Sequence, residues 1–422
     1  MGISMGVLEQ VIKEQREMRL PRDLIKRSVM EKLRRYLSLP EITVITGLRR
    51  VGKSTLLQQL RSESLESDYY INFDDDRLFQ FALEDFQTLL ELFITLYGVQ
   101  KTFFFDEIQN IEGWETFVRR LHDQGNKIYI TGSNATLFSQ ELGTRLTGRY
   151  IQVELYPYSF AELLHHKQPD IERPVTTEER GLSARGFAEY CLTGGIPIYV
   201  DSLEVGVLQS LYESVLYRDI ISRYKLTSDR PIKELVYYFA SNVGKEFSYN
   251  GLAKMIGLGS PTTVSDYCHY LHMSYLCYTV SRFSHSLAKQ QHYNKKCYFI
   301  DHTMARVLGF RSTEDKGRLL ENLIYIELRR RGGEIYFHKE RKECDFLVRK
   351  QGVVCEAYQV CVDLHNITTK ERELQGLVEA MQLYALSQGI IITENQEEIL
   401  QISADNRVLQ IVIIPAWKWA IS

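Results

Sequence analysis

The sequence lacks what a membrane protein or a secreted, disulfide-built protein needs. Apolar residues make up 44% of the 422 positions, yet no run approaches the roughly 18 consecutive apolar residues of a membrane span. Met1 to Arg19 has no basic stretch followed by an apolar stretch and a cleavage site, so no leader is expected. The seven cysteines, Cys191, Cys268, Cys277, Cys297, Cys344, Cys355 and Cys361, contain no CxxC pair and are odd in number. That argues against a disulfide framework or a zinc site and for reduced thiols in the cytoplasm. The net charge of -3 removes any global electrostatic pull toward nucleic acid. A local excess remains between Arg282 and Lys350, with 16 basic against 9 acidic residues; a basic face or an ordinary solvated surface would both produce it.

What is present is a glycine-rich loop in a telling place. Gly47-Leu48-Arg49-Arg50-Val51-Gly52-Lys53-Ser54 follows the apolar run Ile42-Thr-Val-Ile45 and leads into an expected helix, the strand-to-helix context that gives a phosphate loop its meaning. The two glycines allow a tight turn and close backbone approach, and the loop amides and helix N-terminus favour an anion. Lys53 adds a full positive charge, and Ser54, followed by Thr55, offers a hydroxyl to a Mg²⁺ ion bridging phosphates. The short apolar run Thr102 to Phe105 reads as a buried parallel strand and ends in Asp106-Glu107. There Asp106 would hold Mg²⁺ through water, and Glu107 would orient or deprotonate an attacking water. After the strand Lys127 to Thr131, Asn134 stands where a polar side chain reaches the γ-phosphate or that water. Arg145 and Arg149 flank a glycine turn before the strand Tyr150 to Leu155, and either could compensate charge on a neighbouring subunit's nucleotide.

Taken together, Gly47 to Thr55, Phe105-Asp-Glu-Ile-Gln109, Trp114, Thr131-Gly-Ser-Asn134, Leu146-Thr-Gly-Arg149 and Leu155-Tyr-Pro-Tyr-Ser-Phe160 resemble the AAA-type ATPases of bacteria and archaea that carry a C-terminal nuclease-like domain. Gly194-Gly-Ile-Pro197, Tyr217-Arg-Asp219, Tyr298-Phe-Ile-Asp301 and Glu321-Asn-Leu extend the resemblance over nearly the whole chain. It implies an α/β fold with a P-loop AAA-type core, a helical lid and winged-helix middle, and a small restriction-nuclease-like α/β domain. It also implies ATP and Mg²⁺ as ligands, with Lys53 and Ser54 on phosphate and metal, Asp106 and Glu107 as the acidic motif, Asn134 as sensor and Arg145 or Arg149 as finger. Such modules commonly complete their sites between subunits, so a homo-oligomer is one expectation.

The expected division is 1–165 for the ATPase core, 166–230 for a helical lid and linker, 231–300 for a winged-helix-like domain and 301–422 for the nuclease-like domain. In the winged segment the expected recognition helix, Pro261 to Leu271, has no Arg, Lys, Asn or Gln and carries Asp266, so sequence-specific base readout is not expected. Lys289, Lys295 and Lys296 are the residues left to touch DNA phosphate without regard to sequence. Earlier in the chain, Asp23 to Leu37 reads as a basic amphipathic helix. In the last segment Glu321, Asp345 and Glu356 match the carboxylates of restriction-type nucleases and form a candidate second metal site, with Gln359 nearby. The lysine those enzymes place two residues after the last carboxylate is Tyr358 here, which offers no fixed charge. Three functions follow: an Mg²⁺-dependent ATPase coupled to a weak or inactive DNA- or protein-binding domain, a nucleotide-regulated switch with negligible turnover, or an ATP-regulated metal-dependent DNA nuclease.

Overall fold

The computed structural model describes all residues except 1–2, 18–19, 22, 64–67, 134–145, 147, 172, 311–315 and 405–406. The chain forms two compact units, Met1–Tyr156 with Met273–Tyr275, and Pro157–His272 with Leu276–Ser422.

The first unit is built on five parallel strands, β1 (Ile42–Gly47), β2 (Tyr69–Asn72), β3 (Thr102–Asp106), β4 (Lys127–Gly132) and β5 (Tyr150–Leu155), in the order β2-β3-β4-β1-β5. Every residue of β1 and β3 is buried, as expected of strands covered on both faces. The register aligns Thr46 with Gly132, Gly47 with Leu155 and Asn72 with Asp106. The C-terminal strand ends therefore share one edge, and the loop after β1 opens where connections diverge to either side, the usual ligand crevice of such sheets. Helices Lys53–Ser62, Asp85–Tyr97 and Trp114–Asp123 connect the strands. The helix Met5–Arg16 adds Leu8, Val11 and Ile12 to the core formed by Ile42, Phe103 and Phe105. The basic helix expected over Asp23 to Leu37 covers only Val29–Tyr36. The reason is Arg27: its side chain is buried and donates to the carbonyls of Val51 (3.2 Å) and Tyr156, so the preceding chain follows the phosphate loop and not a helical path.

The second unit begins with helices, among them Phe160–Lys167 and Thr177–Thr193, each opened by a capping box. Helices Arg230–Ser241, Tyr249–Met255 and Pro261–Met273 precede an antiparallel pair, β6 (Cys277–Ser281) and β7 (Lys295–Phe299). A six-stranded mixed sheet follows: β8 (Glu334–Lys339), β9 (Glu343–Lys350), β10 (Val353–Val360), β11 (Gln388–Thr393), β12 (Glu398–Ala404) and β13 (Arg407–Pro415), in the order β12-β13-β11-β10-β9-β8. The helix Ile367–Leu383 packs Leu377, Ala380 and Met381 against Leu347, Ala357 and Ile391. It comes so near β9 that a Cβ on Gly376 would lie 2.0 Å from the Glu343 carbonyl, so only glycine fits. The helix Lys316–Arg331 holds β7 through Asn322, whose side-chain oxygen accepts from the Phe299 amide at 2.7 Å while its nitrogen donates to the Phe299 carbonyl at 2.9 Å.

Candidate functional site

At the mouth of β1, Gly47 has φ 146° and Gly52 φ 99°, and a side chain on Gly47 would meet the Leu155 carbonyl at 2.3 Å. The glycines are therefore required by backbone shape and by close approach. Lys53 opens its helix and is buried, its ammonium donating to the carbonyls of Gly47 (3.3 Å) and Leu48 (3.2 Å) and lying 3.5 Å from Glu107 Oε1. Asp106, fully buried at the end of β3, accepts from the hydroxyls of Thr131 and Tyr70 (3.3 Å for the latter) and is hydrogen-bonded by Ser54. Burial, and then the charge of Glu107, push its carboxyl up to about 6 against the opposing effect of Thr131, Ser54 and Lys53. Burial also works against ionisation of Glu107, but Lys53, Gln109 and Arg49 outweigh it and hold that carboxyl below its ordinary value. Neighbouring carboxylates are thus pushed apart, the pattern expected of groups with different tasks.

Leu48 and Val51 of the loop are buried, and Arg50 has a left-handed φ of 59°. Ser54 and Thr55 lie in the first turn of the helix Lys53–Ser62. Asn134 and Arg145 fall outside the described residues. Arg149 precedes β5 at the opposite edge of the sheet, pairing with Asp123 at 3.1 Å. Five strand residues, roughly 17 Å, separate that edge from the phosphate loop, so Arg149 does not join the cluster of its own chain. Three participants were not foreseen. Thr131 bridges β4 to Asp106 and accepts from the Glu107 amide at 2.9 Å; Gln109 donates to Glu107; Arg27 anchors the loop carbonyl of Val51. A Thr at a strand end and a Gln two residues past an acidic pair were visible signals, whereas Arg27 carried none.

In the second unit the three expected metal ligands do not assemble. Glu321 and Asp345 come together, but around the ammonium of Lys296, at 3.3 and 3.4 Å, with Glu343 completing the group at 2.8 Å. Glu356 points elsewhere, paired with Lys350 and with the Tyr358 hydroxyl, both at 2.8 Å. The physical reason is charge: a lysine from β7 fills the centre that a metal would need. Among the described residues no group of three or more His, Cys, Asp or Glu is arranged to hold a metal ion. Burial alone would lower the Lys296 pKa, but Glu321, Tyr298, Asp345 and Glu343 hold it well above its ordinary value. Burial, then Glu321, raise the carboxyl of Asp345. Gln359 donates to Glu373 and accepts from the Asp345 amide at 3.1 Å.

The expectation that Lys295 and Lys296 face phosphate is also corrected. Lys295 is buried and donates to the carbonyls of Gln290, Gln291 and Tyr293, and Lys296 is enclosed by carboxylates. Only Lys289 of the three is exposed. Much of the basic excess between Arg282 and Lys350 is internally balanced, by pairs such as Arg282–Glu340, Arg330–Glu327, Lys339–Glu246 and Arg349–Glu334. The motif residues Gly194, Gly195 and Asp301 prove structural. The Asp301 carboxylate accepts from the amides of Gly195 and Thr303, both at 2.8 Å, and side chains on Gly194 or Gly195 would collide with Asp301 or with the Tyr158 carbonyl.

A parallel sheet with a glycine-rich loop and lysine after β1 and an Asp-Glu pair after the adjacent-but-one strand defines a P-loop ATPase core of the AAA type. A family model described as an AAA domain matches residues 39–164, and one described as a domain of unknown function matches 184–314. The chain belongs to the family of the uncharacterized protein MJ1544 of Methanocaldococcus jannaschii, with 34% identity over 433 residues covering 99% of this chain and 95% of the relative. An uncharacterized protein of Haemophilus influenzae is 31% identical over 77% of this chain and 84% of its own length. Among solved structures, a signal transduction ATPase with a tetratricopeptide repeat sensor from Pyrococcus horikoshii aligns at a TM-score of 0.28 and 13% identity, over 74% of this chain and 46% of that one, a likeness too slight to bear on the fold. In the described residues no helix is long and apolar enough to cross a membrane.

Proposed function

We propose that this protein binds and hydrolyses ATP at the loop Gly47 to Thr55, and that its last domain is a nuclease-like fold that binds a partner without cleaving nucleic acid. The observation that carries the first part is the buried cluster Lys53, Ser54, Asp106 and Glu107. The loop amides and Lys53 bind the β- and γ-phosphates, and Thr55 extends the hydroxyl-bearing turn. The Ser54 hydroxyl and the Asp106 carboxylate, already hydrogen-bonded to each other, form a hard oxygen pair of the kind Mg²⁺ takes, so these residues fit the ion and would hold it. Mg²⁺, when bound, neutralises charge on the phosphate oxygens. Glu107 accepts a proton from water as the water oxygen bonds to the γ-phosphorus and the bond to the bridging oxygen breaks, leaving ADP and phosphate. Asn134 would orient that water, and Arg145 or Arg149 would act on the nucleotide of a second copy.

Steady-state phosphate release tests this reading. Lys53→Ala and Glu107→Gln should both lose turnover while Glu107→Gln still binds ATP. Wild-type rates in both would sink it, and binding without turnover in the wild type would favour the nucleotide-regulated switch.

For the division of the chain we retain a core over 1–165, a lid over 166–230, a winged-helix-like segment over 231–300 and a nuclease-like domain over 301–422. The placement of Lys296 among Glu321, Glu343 and Asp345 supports an inactive domain, and the internal pairing of its basic residues favours a protein partner over DNA. Incubation with labelled linear, branched and single-stranded DNA and Mn²⁺ decides between them: cleavage lost in Asp345→Ala would restore the nuclease reading, and salt-sensitive binding without cleavage would make DNA the partner.

A further inference from the structure

Gln109 ends the Phe105-Asp-Glu-Ile-Gln segment, and the chemistry above gives it no task. It lies in the 3-10 turn Ile108–Asn110, and its Nε2 donates to Glu107 Oε2. The other oxygen, Oε1, faces the Lys53 ammonium at 3.5 Å. The carboxylate is thus gripped at both oxygens, and one of the two grips belongs to a residue that must turn to phosphate when ATP enters.

The turn is built to aim this side chain. Glu107 has a left-handed φ of 50°, a conformation that is strained for a non-glycine residue. Its amide donates to Thr131 Oγ1 at 2.9 Å, its carbonyl accepts from the Asn110 amide at 3.1 Å, and Ile108 beside it is fully buried. Gln109 itself is poorly placed as a structural residue. Its side-chain oxygen is buried with no hydrogen-bond partner among the described residues, an arrangement that costs stability. What the glutamine gains in exchange is its hold on Glu107.

We propose that Gln109 is a positioning residue that keeps the Glu107 carboxylate aimed at the attacking water after Lys53 has moved to the γ-phosphate. The inference rests on Glu107 being the base. In the full-length chain, Gln109→Leu removes the donor and keeps the bulk. Affinity for a fluorescent ATP analogue and KM should stay within about twofold of wild type, while kcat falls roughly 10- to 100-fold, a part of what general-base catalysis supplies. In a Glu107→Gln background the same substitution should remove nothing more. A second readout needs no nucleotide: in thermal unfolding of the free protein, the effects of Gln109→Leu and Glu107→Gln should be non-additive. If Gln109→Leu folds poorly, Gln109→Met, unbranched and also without a donor, should show the same split between kcat and KM. Wild-type turnover in the Gln109 variants beside an inactive Glu107→Gln would overturn the positioning role alone. Equal losses in ATP affinity and kcat, or losses that add to that of Glu107→Gln, would overturn it too. Full turnover in Glu107→Gln would instead remove the base assignment beneath it.

Discussion

Two buried lysines, Lys53 and Lys296, occupy similar surroundings to opposite ends. Both side chains are 3% exposed, and both lie near carboxylates. Among the described residues Lys53 has one carboxylate partner, at the long distance of 3.5 Å, and two loop carbonyls beyond 3.1 Å. Lys296 has three carboxylates, with Glu343 as near as 2.8 Å. The first ammonium keeps charge to spend on an incoming anion, and the second is outnumbered by its own partners. A buried lysine therefore serves a ligand or serves the fold according to the balance of charge around it, and residue type alone does not decide which.

The sharpest way to break this comparison is to remove each ammonium in turn. Lys53→Ala should bring ATP turnover to background and abolish nucleotide-induced stabilisation in a thermal shift assay, while leaving the free protein folded. Lys296→Met should leave ATP binding intact but destabilise the second unit by about 3–5 kcal/mol, the scale for a buried ion cluster that loses one sign of charge. Denaturant unfolding followed in that unit measures it. If Lys53→Ala unfolds the protein, or Lys296→Met costs no stability, the distinction fails.

The comparison also explains what the sequence made legible. The phosphate loop, β1, β3 and the Asp-Glu pair are contiguous or follow from strand ends, so their meeting is implied by a parallel sheet. In the second unit β11 and β13 announce themselves by the apolar runs 390–392 and 411–414. The edge strand β12 was not, because Ile399 is exposed and charged or polar residues interrupt the segment. The Lys296 cluster needed the packing of β7 on a helix and on β9, residues 25 and 49 positions away, and no local pattern announces it. The helix expected at Asp23 failed for the same kind of reason, since a long-range bond from Arg27 overrode local periodicity.

A smaller effect sharpens the account of the second cluster through pH. The carboxyl of Asp345 is raised in the folded protein, first by burial and then by Glu321. A raised carboxyl binds its proton more tightly in the folded state than in the unfolded one. Its contribution is therefore present at low pH and is lost as pH climbs from the unfolded value through the folded one. Asp345→Asn removes that loss, so its melting temperature relative to wild type should move upward between pH 5 and pH 8. A difference that is flat or moves downward would show that Lys296 fully offsets the ionised form.

The smallest expected change belongs to Arg149. Its pair with Asp123 leaves the two side chains 39% and 51% exposed, and exposed pairs of this kind contribute about 0–1 kcal/mol. Arg149→Ala should therefore shift stability very little, and at the far edge of the sheet it has no route to the nucleotide of its own chain. Any large loss of turnover must then come through a second copy. Turnover per chain measured across a hundredfold range of protein concentration, with light scattering on the same samples, separates the cases. A rate that rises with concentration in the wild type and stays flat in Arg149→Ala assigns the arginine to a neighbour's site. A rate independent of concentration in both, with a monomeric mass, leaves Arg149 a surface pair and places the whole catalytic set within one chain.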